Sequence, residues 1–312
     1  MKYRIWVALV AVYLTWGSTY LAIRFAVETM PPFLMAATRF LMAGSILFLW
    51  RRSRGDYPAT KGEWLSAGVV GLLLLVGGNG SVVWAEQRVV SGVAALMVGS
   101  APLWMVIIDA LRPNGHWPSG WALVGVVAGF IGIVILIGPV QLTGLHGDID
   151  PVGAGVLLLA AFLWAAGSLY NRGASLPTSP LLGTSMEMLV GGTGLLMLGT
   201  FTGEWNRLYL PGISLKSLLG LAYLIVFGAL VGFVAYTWLL RVAPTTLVST
   251  YAYVNPLIAI FMGNMLAAEP LTPRVLIAAV TILGSVALIT LTQPVRPKAK
   301  VDSDTFFSPG NQ

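Results

Sequence analysis

Arg39 and Glu187 are the two charges whose position asks for chemistry. Each lies six or seven residues inside an otherwise apolar run, "PFLMAATRFLMAGSILFLW" and "PLLGTSMEMLVGGTGLLML". An ionised side chain in such surroundings is costly unless it has a partner or a task. A guanidinium there could grip a carboxylate, and a carboxylate could hold an amine or a proton. The structural alternative is that Arg39 snorkels outward on its long stem and Glu187 pairs with a neighbour. A short acid cannot reach far, which favours a task for Glu187. Asn79, in "GGNGS", offers donor and acceptor between glycines that admit a helix or a ligand. Asn255 precedes Pro256, which frees a backbone carbonyl nearby. For both amides an interhelical hydrogen bond is the structural alternative. Trp16 and Trp164 stand in the middle of apolar runs, and Tyr20, Trp84, Trp104, Tyr170, Tyr236, Tyr251 and Tyr253 could join them around an amphipathic cavity. Helix packing is the competing explanation. At the run ends, Glu86 with Arg88 and Asp109 with Arg112 read as interfacial ion pairs.

Other chemistry is excluded. The chain has no cysteine, hence no disulfide, thiolate metal site or cysteine nucleophile. Its two histidines, His116 and His146, fall in loops expected on opposite faces. It has no His-Glu-x-x-His, Gly-x-Ser-x-Gly or Walker pattern, so no enzyme, metal, cofactor or ATP-driven pump is expected. The competing classes are an intramembrane enzyme and a channel or sensor subunit without carrier activity.

The elements that must hold these residues follow from composition. Of 312 residues 57% are apolar and 10% charged, with a mean hydropathy of +0.83. Soluble domains carry about 25% charged residues, so lipid is the expected solvent. Ten runs reach helical spanning length, at roughly 5–25, 33–50, 64–84, 89–111, 119–138, 152–170, 180–202, 215–236, 246–265 and 272–292. The fold class is therefore all-α and polytopic. The first run is too long, and lacks the cleavage site, for a signal peptide. Short connectors rich in proline and glycine separate the runs, and the polar 294–312 segment reads as a disordered cytoplasmic tail. With both termini in the cytoplasm, twelve of the 18 cations fall inside and five outside, with Arg39 left within a span. The basic residues line run ends and form no patch for nucleic acid.

The chain also repeats itself. "WGSTYLAIR" at 16–24 returns as "WAAGSLYNR" at 164–172. At the same offset Pro32 falls on Pro180, Gly44 on Gly192 and Arg39 on Glu187. Slightly different offsets pair Trp84 with Trp238, Pro102 with Pro256 and Gly132 with Gly284. Each copy holds five spans, an odd number, so the second copy enters the membrane inverted. Inverted repeats around a central site are the architecture of many secondary transporters. Gly125-xxx-Gly129 and Gly228-xxx-Gly232 allow close helix contact within a chain or between two, leaving monomer and homodimer both open.

The doubled tryptophan–arginine phrase, the proline-bearing fourth and ninth spans and "AAEPLTPRVLIAAVTILGSVALI" resemble the drug/metabolite transporter superfamily, specifically its ten-span EamA-type permeases. The resemblance covers about residues 5–292, as repeats over 5–138 and 152–292. It implies a multi-pass protein of the bacterial inner membrane that exports small amphipathic metabolites, such as amino acids, related compounds or drugs, by alternating access. Its partners would be a small-molecule substrate, the lipid bilayer and protons as a candidate coupling ion. Glu269 fits the family's acidic position at the end of the second repeat's proline-bearing span. The matching position in the first repeat is Trp117, so no symmetrical charge pair is expected.

Overall fold

Apolar runs of this length satisfy their backbone without water by coiling on themselves. The computed structural model describes residues 2–112, 117–138, 149–243, 245–248 and 250–292. His116, the loop around His146 and the 294–312 tail lie outside them. Ten helices follow in order: α1 Lys2–Val27, α2 Pro32–Ser53, α3 Lys61–Ala85, α4 Ser91–Leu111, α5 Gly120–Ile137, α6 Pro151–Asn171, α7 Pro180–Phe201, α8 Leu215–Leu240, α9 Tyr251–Ala267 and α10 Pro273–Thr292. Among the described residues nine are long and apolar enough to cross a bilayer. The shorter one is α9, and Thr245–Val248 forms a separate helical turn ahead of it.

Local chemistry sets the helix starts. Pro32, Pro151 and Pro180 occupy first-turn positions, where a missing N–H costs nothing. Asp150 accepts from the Val152 N–H at 3.0 Å. Thr60 and Glu63 form a reciprocal capping box at the start of α3. Large apolar side chains face outward around the bundle, Phe201 at 86% and Val280 at 75% exposure, as expected where lipid is the solvent.

The pairing of helices is symmetrical. α2 packs on α7 and α5 on α10, each helix against its own counterpart. α1 packs on α8 and α9, while α6 packs on α3 and α4, which is the same arrangement with the repeats exchanged. Two inverted five-helix repeats account for all of it. The matched glycines Gly44 and Gly192 lie at the α2–α7 crossing. A Cβ on Gly44 would stand 2.9 Å from the Met188 Cβ, and one on Gly192 would stand 2.9 Å from Leu41.

Two irregularities lie beyond sequence periodicity. α3 widens into a π-helical stretch over Leu72–Gly80, and α8 does so over Leu224–Phe233, at corresponding places in the repeats. Such widened turns gather at functional sites because they release carbonyls from the ordinary ladder. α4 is interrupted between Val98 and Ala101, just ahead of Pro102, and α9 carries Pro256 within it. All four irregular helices contribute to the same cavity.

Candidate functional site

That cavity, of about 70 Å³, lies among α1, α2, α3, α4, α6, α8 and α9. Helix α1 contributes Trp16, Thr19, Tyr20 and Ile23, and α2 contributes Arg39 and Phe40. From the π-helical stretch of α3 come Gly78 and Asn79. α6 supplies Trp164, α8 supplies Phe233, and α9 supplies Tyr251, Asn255 and Pro256.

One side of the cavity is an aromatic cluster. The Trp16 and Trp164 rings meet edge to face with centroids 5.6 Å apart. Tyr236 lies 4.7 Å from Trp16, and Tyr251 lies 5.6 Å from Trp16 and 5.3 Å from Tyr236. The Trp16 indole N–H donates to the Gly228 carbonyl at 3.1 Å, within the π-helical part of α8. The Trp164 indole N–H donates to the Tyr251 hydroxyl at 3.1 Å. On the far side of this cluster a smaller hollow is lined by Pro102, Met105, Arg172, Tyr236 and Tyr251. Tyr251 and Ala252 face both spaces.

Arg39 supplies positive charge. It is 4% exposed, and among the described residues neither its Nε nor its Nη1 has an acceptor. Its guanidinium carbon lies 4.7 Å from the centre of the Phe40 ring, a contact worth about 0.5–2 kcal/mol. An arginine at the centre of a membrane helix costs about 2.5–3.5 kcal/mol on insertion scales, so the ring does not fully replace an anion. Gly228 and Gly232 make the room. A Cβ at Gly228 would lie 2.7 Å from Arg39 Nη2, and one at Gly232 would lie 2.5 Å from Trp16 Nε1. This small-residue motif thus seats cavity side chains. The other small-residue motif, Gly125 and Gly129 of α5, packs against Ser285 and Ile289 of α10 and Leu103 of α4. Both motifs are therefore used within the chain. The side-chain carbonyls of Asn79 and Asn255 also find no donor among the described residues.

Beyond the cavity, where α1 ends, Glu269 is 5% exposed and fully engaged. It pairs with Arg24 and accepts from Ser91 N–H at 2.9 Å, Ser91 Oγ at 2.7 Å and Gly92 N–H at 3.0 Å. The residue therefore caps the start of α4 while tying it to α1. Glu86 lies in the same region and is treated very differently. It is 5% exposed, and among the described residues neither carboxylate oxygen has a hydrogen-bond donor. The expected Glu86–Arg88 ion pair is not formed. Arg88 instead reaches Asp150 at 3.2 Å and stacks over Trp84 at 4.2 Å.

Of the residues singled out by sequence, Trp16, Tyr20, Arg39, Asn79, Trp164, Tyr251 and Asn255 line this cavity. Several others do not, among them Tyr236, which lines the smaller hollow instead. Glu187 is buried and accepts from the Asn171 amide at 3.1 Å, at the opposite end of the bundle from Glu269. Tyr170 is 41% exposed and Tyr253 is partly buried against the core. Sequence reading passed over Phe233 and Thr19, and it took Glu86 for half of an interfacial ion pair. The signal available for Glu86 was an acid directly after an apolar run, which usually means an interface.

What the arrangement can do is bind. One unpaired cation, two amide carbonyls without donors and a wall of aromatic faces suit a small solute with an apolar body and a charged or polar end. Comparison with known proteins agrees in kind. The EamA-like transporter family profile matches residues 3–138 and again 151–291. The inner membrane transporter YedA of Escherichia coli is 37% identical over 295 residues, covering 94% of this chain and 93% of that one. The transporter YvbV of Bacillus subtilis is 23% identical, covering 92% and 91%. A crystal structure at 20% identity superposes with a TM-score of 0.62 over 91% of this chain and 96% of its own, which shows the shared fold.

Proposed function

The chain belongs to the EamA-like transporter family, and we propose from that premise that it is a secondary carrier for small amphipathic metabolites bearing an anionic group. Arg39 holds the anionic end, Asn79 and Asn255 receive donors, and Trp16, Trp164, Tyr20 and Phe233 cover the apolar body. The single observation behind this reading is the buried guanidinium of Arg39, facing the cavity with two of its nitrogens unmatched by any acceptor among the described residues.

Transport by this reading is alternating access. Inverted repeats permit two mirror-related conformations of nearly equal energy, since each half can adopt the packing of the other. The aromatic cluster closes one route out of the cavity, and Tyr251, facing both hollows, is the element that must move. The surrounding membrane in this reading is the bacterial inner membrane, as for the Escherichia coli relative, with both termini cytoplasmic in keeping with the cation distribution.

Counterflow in proteoliposomes tests the function. Vesicles preloaded with one unlabelled solute from a panel of anionic, zwitterionic and cationic aromatic metabolites are diluted into its radiolabelled form. Saturable accumulation of anionic or zwitterionic members is expected. Accumulation confined to cationic members, or non-saturable flux, would refute the reading.

A further inference from the structure

Glu86 is a group the carrier reading does not yet use. It follows the last helical residue of α3, Ala85, and both of its oxygens are buried without a donor. A carboxylate anion in that condition is among the costliest states a protein can hold, whereas the neutral acid is tolerated. The C-terminal end of a helix adds to the cost, because its carbonyls present partial negative charge. Four titratable or charged groups face it: Tyr20 and Arg24 of α1, Arg39 of α2, and Glu269 of the α9–α10 connection. Arg88, two residues on, is turned away to Asp150. Burial is the largest influence and pushes the Glu86 carboxyl well above the usual carboxylate range, Glu269 adds to it, and Arg24, through its charge and the approach of its backbone N–H, acts with Arg39 in the opposite sense. Arg24 is already committed to Glu269. Arg39 is therefore the one nearby charge whose influence can change during a transport cycle.

We propose that Glu86 is a proton-binding site whose occupancy is linked to that of Arg39. When an anion sits on Arg39, the cation no longer favours an ionised Glu86, and the carboxylate takes one proton from solution to become the acid. When the anion leaves, the restored positive charge favours ionisation, and the same proton is released. No bond other than the O–H forms or breaks. Linkage is reciprocal, so protonation of Glu86 tightens anion binding by the same factor. A substrate anion and a proton would then travel together as a neutral pair, which suits passage through an apolar protein. This inference rests on the reading of Arg39 as the anion anchor.

Its test uses benzenesulfonate, a small aromatic anion whose own charge is constant across the working pH range. Calorimetric titration of the full chain in nanodiscs, in buffers of different ionisation enthalpy, counts protons taken up on binding. The wild type is expected to take up protons on binding and to bind up to about tenfold more tightly per pH unit as pH falls through the titration. Glu86→Gln, a fixed neutral side chain, is expected to bind with no proton uptake and an affinity independent of pH. Arg39→Ala is expected to lose binding. Infrared difference spectra of the wild type against Glu86→Gln add a readout on the wild-type protein, a carboxylic-acid carbonyl band that grows when benzenesulfonate is added. Arg39-dependent binding without proton uptake, or without that band, overturns the linkage and leaves the carrier reading standing. Absence of Arg39-dependent binding overturns the anion anchor, and the linkage with it.

Discussion

Trp16 and Trp164 are the same residue of the two repeats, and their rings touch, edge to face, at 5.6 Å. A residue can contact its own counterpart only where the axis relating them passes close by. The pair therefore marks the centre of the inverted repeat, and it also forms part of the wall of the central cavity. Symmetry and site coincide, which is what a carrier that exchanges the roles of its halves requires.

Close approach at this centre depends on glycine. Gly232→Ala drives a methyl against the Trp16 indole, which already donates to the Gly228 carbonyl. We expect a loss of about 1–3 kcal/mol, the usual cost of overpacking, read as a lowered melting temperature of the purified protein. Gly120→Ala, which meets nothing within 4 Å, should leave it unchanged.

Tyr251 stands between the two hollows and accepts the Trp164 indole N–H. Tyr251→Ala should weaken closure on that side and raise uncoupled leak of substrate. Uptake into proteoliposomes without counter-substrate, compared with counterflow, reads this. A fall in both rates together would mean that Tyr251 is not a barrier.

Glu269 links α10's approach, α4 and α1 in one buried cluster. Glu269→Ala leaves Arg24 and two N-terminal N–H groups unmatched, and breaking a buried pair of this kind costs about 3–5 kcal/mol. Monodisperse yield in detergent should collapse for Glu269→Ala and fall less for Glu269→Gln, which keeps acceptor capacity. Equal, wild-type yields would show that the cluster contributes little.

Orientation is checked with single cysteines, because the chain has none of its own. A cysteine at Ser53, which ends α2, should react with an impermeant thiol reagent only after the cells are opened. Labelling of intact spheroplasts would reverse the assignment.

Much of this was legible in the sequence, for identifiable reasons. Hydropathy and proline punctuation define the spans because lipid leaves a backbone few choices. Arg39, Asn79 and Asn255 stand out because polar groups at that depth need a reason. Glu187 stands out by the same logic and does not reach this cavity. The repeat sets it opposite Arg39, but the two halves differ in sequence and packing, so counterparts have different surroundings: Glu187 meets Asn171, whereas Arg39 faces the cavity. The widened turns of α3 and α8 escape detection because one extra residue in a uniformly apolar run changes no pattern of polarity. Glu86 was misread because Arg88 supplies a plausible partner two residues away. Only the path of the chain, which brings Asp150 to Arg88, shows that partner to be taken.

The central claim is that Arg39 selects the anionic end of the substrate, and one comparison tests it most directly. Counterflow of the solute panel is measured for wild type, Arg39→Ala, Arg39→Lys and Glu187→Gln, each scaled to folded protein in the vesicles. The account predicts that Arg39→Ala abolishes flux of anionic members at near-normal folded yield. Arg39→Lys should retain part of it, since an ammonium keeps the charge but loses the two-pronged geometry. Glu187→Gln should keep the wild-type preference for anions. Undiminished flux of anionic solutes through folded Arg39→Ala would contradict the account.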